Sequence, residues 1–220
     1  MSTRRSRDEA AYEQAMRQWV VPECLHVPVV ALDEAAIVDH IGDIVQTLSP
    51  GRALVVAIDP PPERDLRLPI WSHSRSHVFF DPIQVWVSPS YTRYRAAYIR
   101  AKGADSVSGS VLAHVYNRRM AALRGYGFVR LVPVSRRANS SSSYAEQWGV
   151  TLSAADLGER RRRLGLRMQY ADLTDLMVML DLSLGGGVQE ASRVAQDLIE
   201  VPGLRPAQGW LKSQVNASDV

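Results

Sequence analysis

The chain is poor in lysine and cysteine. Its 220 residues hold two lysines, Lys102 and Lys212, beside 24 arginines, and one cysteine, Cys24. A lone cysteine cannot close an intrachain disulfide, and no Cys/His spacing suits zinc, so neither a disulfide scaffold nor a zinc module is expected. Cys24, next but one to Pro22, reads as a packed thiol. No apolar run approaches the ~18–20 residues of a membrane helix. No apolar stretch follows the polar, basic Met1–Arg7, so neither a membrane partner nor a secretory signal is expected, and a cytoplasmic location is. With 46% apolar and 22% charged residues, the chain has the composition of a folded globular protein rather than a disordered one.

A third shortage is local. Residues 90–170 carry 15 basic but only 4 acidic side chains, a net of +11. Residues 1–89 carry 8 basic and 12 acidic, and residues 171–220 carry 3 and 7, each a net of −4. The formal charge of +3 therefore averages a basic centre between two acidic flanks. Codon bias explains arginine over lysine, but not the missing acids. Seven of the eight tyrosines share the centre: Tyr91, Tyr94, Tyr98, Tyr116, Tyr126, Tyr144 and Tyr170. Arginine interleaved with aromatics is what phosphate contacts with base or sugar stacking require.

The fold expected is mixed α/β (α+β), with short strands packed against several amphipathic helices and a helical C-terminal part. Residues 7–20 have helical periodicity. Asp33 caps a helix whose Ile37, Ile41, Ile44, Val45 and Leu48 recur at helical spacing until Ser49-Pro50-Gly51. Ala53–Ile58 reads as a buried strand, and Asp59 to Arg64, with three prolines, as a connector. His77–Phe80 and Gln84–Val87 read as a hairpin. Ser90 caps a helix ending at Gly103, with Tyr91, Tyr94 and Tyr98 on one face as a packing stripe. A helix is expected over Val111–Leu123 and a strand over Phe128–Val134. Ser135–Asn139 and the following four serines read as a polar loop. Ser153 and Asp156 open a helix carrying Arg160, Arg161, Arg162 and Arg163. Two helices, Ala171–Leu182 and Val188–Val201, flank Gly185-Gly186-Gly187. By composition the segments are 1–66, acidic α/β; 67–150, basic α+β; 151–201, helical; and 202–220, a tail.

Leu112-Ala-His-Val-Tyr-Asn-Arg-Arg119, and later Val129-Arg-Leu131 and Arg136-Arg-Ala-Asn139, carry the one motif with chemistry in it. Across residues 112–142 the chain resembles the core of phage and homing-type HNH endonucleases. The resemblance implies His114 as general base, Asn139 as a metal ligand, and Mg2+ or Mn2+ as cofactor. Asn117 and Arg118 match the intervening polar pair, and Val129-Arg130-Leu131 the short strand. Ala113 stands where the family has a metal-binding acid. Phosphodiester hydrolysis needs a base for water, a metal for the developing charge and arginines for the phosphate. The bland reading makes His114 a polar helix residue satisfied by a neighbour and Asn139 a turn residue.

Three functions follow. The first is nucleic-acid binding, DNA or RNA, through Arg118, Arg119, Arg130, Arg136, Arg137 and Arg160 to Arg163. The second is a divergent HNH-like endonuclease. The third is a subunit of a self-assembling complex, a homo-oligomer in which the basic centre of one copy meets the acidic flanks of another.

Overall fold

A computed structural model describes residues 25–58, 64–140, 166–183 and 188–199. Seven strands form one antiparallel sheet: β1 (Pro28–Ala31), β2 (Gly42–Ser49), β3 (Ala53–Ile58), β4 (Ile83–Val87), β5 (Val111–His114), β6 (Phe128–Val134) and β7 (Met168–Tyr170). Their order is β2-β3-β4-β6-β1-β7, with β5 also paired to β6. The protein is thus mixed α/β, and its strands come from three of the compositional segments. α-Helices accompany them, α1 (Glu34–His40), α2 (Tyr94–Lys102), α3 (Arg118–Leu123), α4 (Leu173–Met179) and α5 (Val188–Ile199), and residues 136–140 are helical as well.

The apolar run of β3 is buried on both faces, as a strand between two layers requires. Leu54 and Val56 join Trp86, Phe128 and Ile37 of α1 in one cluster. Val55 joins Val85, Val87, Leu131 and Tyr98 of α2 in another. A third cluster gathers Val132 and Val134 of β6 with the 3-10 turn Pro69–Ser72, α4 and Ala191 and Ala195 of α5. Each large apolar side chain so buried contributes roughly 1.5–3 kcal/mol. Together the clusters fix the sheet from which the exposed residues project.

Several elements differ from the sequence reading, each for a local reason. Asp33 does cap α1, accepting the Ala36 N–H at 2.7 Å, but the helix stops at His40 rather than Leu48. Gly42 follows its C-cap, and the β-branched Ile44, Val45 and Thr47 belong to β2, which pairs with β3. The expected strand 77–80 begins in a 3-10 turn, Ser76–Val78. Its Val78 and Phe79 carbonyls accept from Arg130, so they do not enter a ladder. Instead of one helix over 111–123, β5 pairs with β6, and α3 starts afresh at Asn117. That side chain accepts from the Arg119 and Met120 N–H groups at 2.8 and 3.0 Å. The helix expected from Ser90 begins at Tyr94, and Gly103 ends it at a φ of 84°. Residues 136–140 are helical rather than looped, with Ser135 Oγ accepting the Ala138 N–H at 3.1 Å. The expected helices at 7–20 and around Arg160 to Arg163, the triple-proline run and the triple-glycine turn lie outside the described residues.

Candidate nucleic-acid interface

Arginines on a strand alternate between the two faces, so a basic stretch must be sorted residue by residue before it counts as a surface. Arg130 is the clearest case. It is 1% exposed, in register with Trp86 across the β4–β6 ladder. Its Nη1 donates to the Phe79 carbonyl at 2.9 Å, and its Nη2 donates to that of Val78. Burial pushes its pKa down to about 10, so it keeps its charge at neutral pH. Arg130 ties the 3-10 turn to the sheet and cannot reach a polynucleotide, which corrects its expected role.

Other basic residues of the centre are held within the fold. Arg167 donates to Asp39 at 2.8 Å and lies 3.6 Å from Asp33. Lys102 is paired with Asp81 at 2.7 Å. Arg124 donates to the Tyr116 hydroxyl, and to Gln169 Oε1 at 3.2 Å.

Besides Arg100, which is exposed and donates to the Leu48 carbonyl, the exposed arginines of the centre among the described residues fall into two patches. Arg93 and Arg95, at the start of α2, and Arg118 and Arg119, at the start of α3, form the first. α2 and β5 lie alongside one another: the Tyr94 and His114 rings meet edge-on at 4.8 Å, and Arg95 Nη1 is 3.5 Å from the Ser110 carbonyl. Among the described residues, none of these four arginines has an acidic partner. Tyr91 and Tyr94 are half-buried at the rim, while Tyr98 is in the core, as a packing stripe requires. The second patch is Arg136 and Arg137, both exposed; Arg137 donates only to the neutral Ser183 Oγ, at 3.0 Å.

His114 and Asn139 do not come together as the HNH resemblance implies. His114 pairs with Leu131 and Val111 with Val134, so the two ends of the β5–β6 ladder stand ~10 Å apart. His114 is at one end. Asn139 follows the other, in a helical turn tied through Ser135 and Arg137 to Asp181 and Ser183. Burial first, and the charge of Arg118 second, push the His114 pKa down to about 4. That makes it neutral but a feeble base near pH 7. Among the described residues, no three His, Cys, Asp or Glu side chains gather as a metal-binding set. Arg160 to Arg163 lie outside the described residues.

Arg93 and Arg95 are surface residues that the sequence reading did not place in the site. A signal for them existed, since no acid precedes Asp105 within the basic centre and none stands between Asp105 and Glu146. No helix among the described residues is long and apolar enough to cross a membrane. Comparison of the chain with protein-family models, curated proteins and solved structures finds no match.

Proposed function

We propose that the protein binds nucleic acid through its arginine surface, with Arg93, Arg95, Arg118 and Arg119 as the principal phosphate contacts. The observation that carries this reading is that four exposed arginines at the starts of α2 and α3 have no acidic partners among the described residues, with half-buried Tyr94 against His114 between those elements. Had these arginines served only to solvate helix faces, intermixed acids would be expected, as on ordinary surface helices. An unpaired guanidinium presents a fork that matches two phosphate oxygens. Arg136 and Arg137 extend the contact. With His114 and Asn139 apart, binding rather than strand cleavage is the activity assigned.

Fluorescence anisotropy with labelled duplex DNA, single-stranded DNA and RNA, taken across a salt series, tests this. Affinity should fall steeply with salt, by ~0.9 in log–log slope for each phosphate neutralised on a duplex and ~0.7 on a single strand. Replacing all four arginines by Gln should weaken low-salt binding at least tenfold, or about 1.4 kcal/mol. A salt-insensitive signal, or unchanged binding by the fourfold variant, would refute the assignment.

A further inference from the structure

The two ends of the sheet are unlike. β7 closes one end with three residues, and so short a strand offers little to pair with. β2 closes the other with eight, and among the described residues it ladders only with β3. An edge strand presents a row of N–H and C=O groups along its outer side, a template for a further strand. Lysine and proline are common guards of such an edge, yet residues 42–49 contain no lysine, arginine or proline.

The exposed run of this edge is centred on one residue. Asp43, Val45, Gln46 and Thr47 are exposed, and beyond them Arg100 donates to the Leu48 carbonyl. Val45 stands out of the ladder. The register passes from Ile44 with Val56 to Gln46 with Val55, which leaves Val45 no opposite residue on β3, and it is 56% exposed. Just ahead of the strand, Val38 of α1 is 41% exposed. These are two of the three large apolar side chains exposed among the described residues.

Charge selects the occupant. The start of this edge carries exposed Asp39, which also holds Arg167, and exposed Asp43. The turn after its other end carries exposed Arg52, which has no acidic partner among the described residues. A second copy laid antiparallel brings the Arg52 turn of each chain to the acidic end of the other, whereas a parallel copy would set like charges together. Equivalent antiparallel strands related by a two-fold axis also have one residue directly opposite its own copy. At the middle of residues 43–47 that residue is Val45, so apolar meets apolar and Asp43 falls opposite Thr47.

We propose that the β2 edge is the seam of a homodimer, in which two copies join antiparallel about Val45 into one continuous sheet. The contact draws on the acidic flank and on none of the arginines assigned to nucleic acid, so it does not depend on that assignment.

Sedimentation velocity of the full chain, without nucleic acid and over a range of concentrations, should show a monomer–dimer equilibrium. Val45→Lys sets two ammonium groups opposite one another and should weaken dimerisation at least about tenfold. Thermal unfolding reports whether that variant has folded, and a cysteine pair decides the matter if it has not. With Cys24→Ser removing the native thiol, cross-linking reads the register. Opposite residues on antiparallel strands have Cα atoms ~4.5–5.5 Å apart, within disulfide reach, whereas Thr47 and its copy would stand ~14 Å apart. Under mild oxidation Val45→Cys should therefore give a covalent dimer and Thr47→Cys should not. A monomer at every concentration overturns the proposal and makes the bulge at Val45 the device that keeps the edge single. Dimerisation undiminished in a folded Val45→Lys variant, or equal cross-linking at both positions, also overturns it.

Discussion

His114 ends β5 with its ring against Tyr94, and its buried Nε2 has no hydrogen-bond partner. Its pKa of about 4 in the folded chain, against ~6.5 when exposed, sets a direction for stability. Between those two values the unfolded chain binds the proton and the folded chain does not, so stability falls as pH drops through the window. Above ~6.5 both forms are neutral, and this residue contributes no slope. The full effect is about 3 kcal/mol, at ~1.4 kcal/mol for each pH unit between the two values. Urea unfolding at pH 7 and pH 4 checks it: His114→Phe, which keeps the aromatic contact and cannot titrate, should lose about 2–3 kcal/mol less than the parent chain over that interval. Equal losses would mean that His114 takes up its proton in the folded state without penalty. Arg130 teaches the same lesson about environment. In sequence it is one more arginine of a basic stretch, but in the fold it is a buried donor to backbone carbonyls.

At the scale of elements, close backbone approach decides much that side-chain periodicity does not. Ile37, Ile41, Ile44 and Leu48 can be read on a helix, yet the chain leaves α1 after His40 and returns as β2. Gly42 makes the junction possible, since a Cβ there would lie 2.1 Å from the Ala57 carbonyl oxygen and 2.8 Å from the Ile58 Cα. Gly42→Ala must therefore push β2 off β3, and we expect a loss of about 2–4 kcal/mol, in the range of overpacked sites. Gly51, in the turn between the same strands at a φ of 62°, has open space around its Cα. Gly51→Ala should cost only about 1 kcal/mol, from backbone strain alone. Chemical denaturation of the two variants gives the comparison, and similar losses would refute the role assigned to Gly42. Elements with an explicit local signal were legible in sequence: the Asp33 cap, the apolar run of β3, the Gly103 stop and the strand β6. Elements defined by a partner were not. β5 is four residues whose ladder lies on β6, and β7 is three residues laid against β1. The candidate surface was legible in the same measure: charge composition pointed to Arg118, Arg119, Arg136 and Arg137, which are exposed, whereas only packing shows that Arg130 is buried and that His114 and Asn139 belong to opposite ends of a ladder.

On the scale of the whole molecule, part of the charge of the basic centre among the described residues is met by pairing with the acidic flank. The acidic N-terminal flank supplies Asp33 and Asp39 to Arg167 and Asp81 to Lys102, each a cation of the basic centre. Those pairs leave the arginines at the starts of α2 and α3, and those after β6, without acids among the described residues. Arg118 and Arg119 follow the His114 end of the β5–β6 ladder and Arg136 and Arg137 its Val134 end, ~10 Å away, about the distance over which salt screens exposed charges under physiological conditions. They should act independently on a ligand long enough to touch both. Arg136→Gln with Arg137→Gln should then lower the duplex salt slope by up to ~2. Combined with replacement of Arg93, Arg95, Arg118 and Arg119, the slope should drop by up to ~5, with the losses in log affinity adding as they do for distant sites. Anisotropy on duplexes of graded length separates the two contributions. On a duplex too short to span the ladder each partial variant keeps a working patch and should lose little, whereas the combined variant should bind worse than either, while on a longer duplex the losses should sum. Additivity at every length would show instead that one continuous surface receives the phosphates, and no loss from Arg136→Gln with Arg137→Gln at any length would leave those two outside the interface.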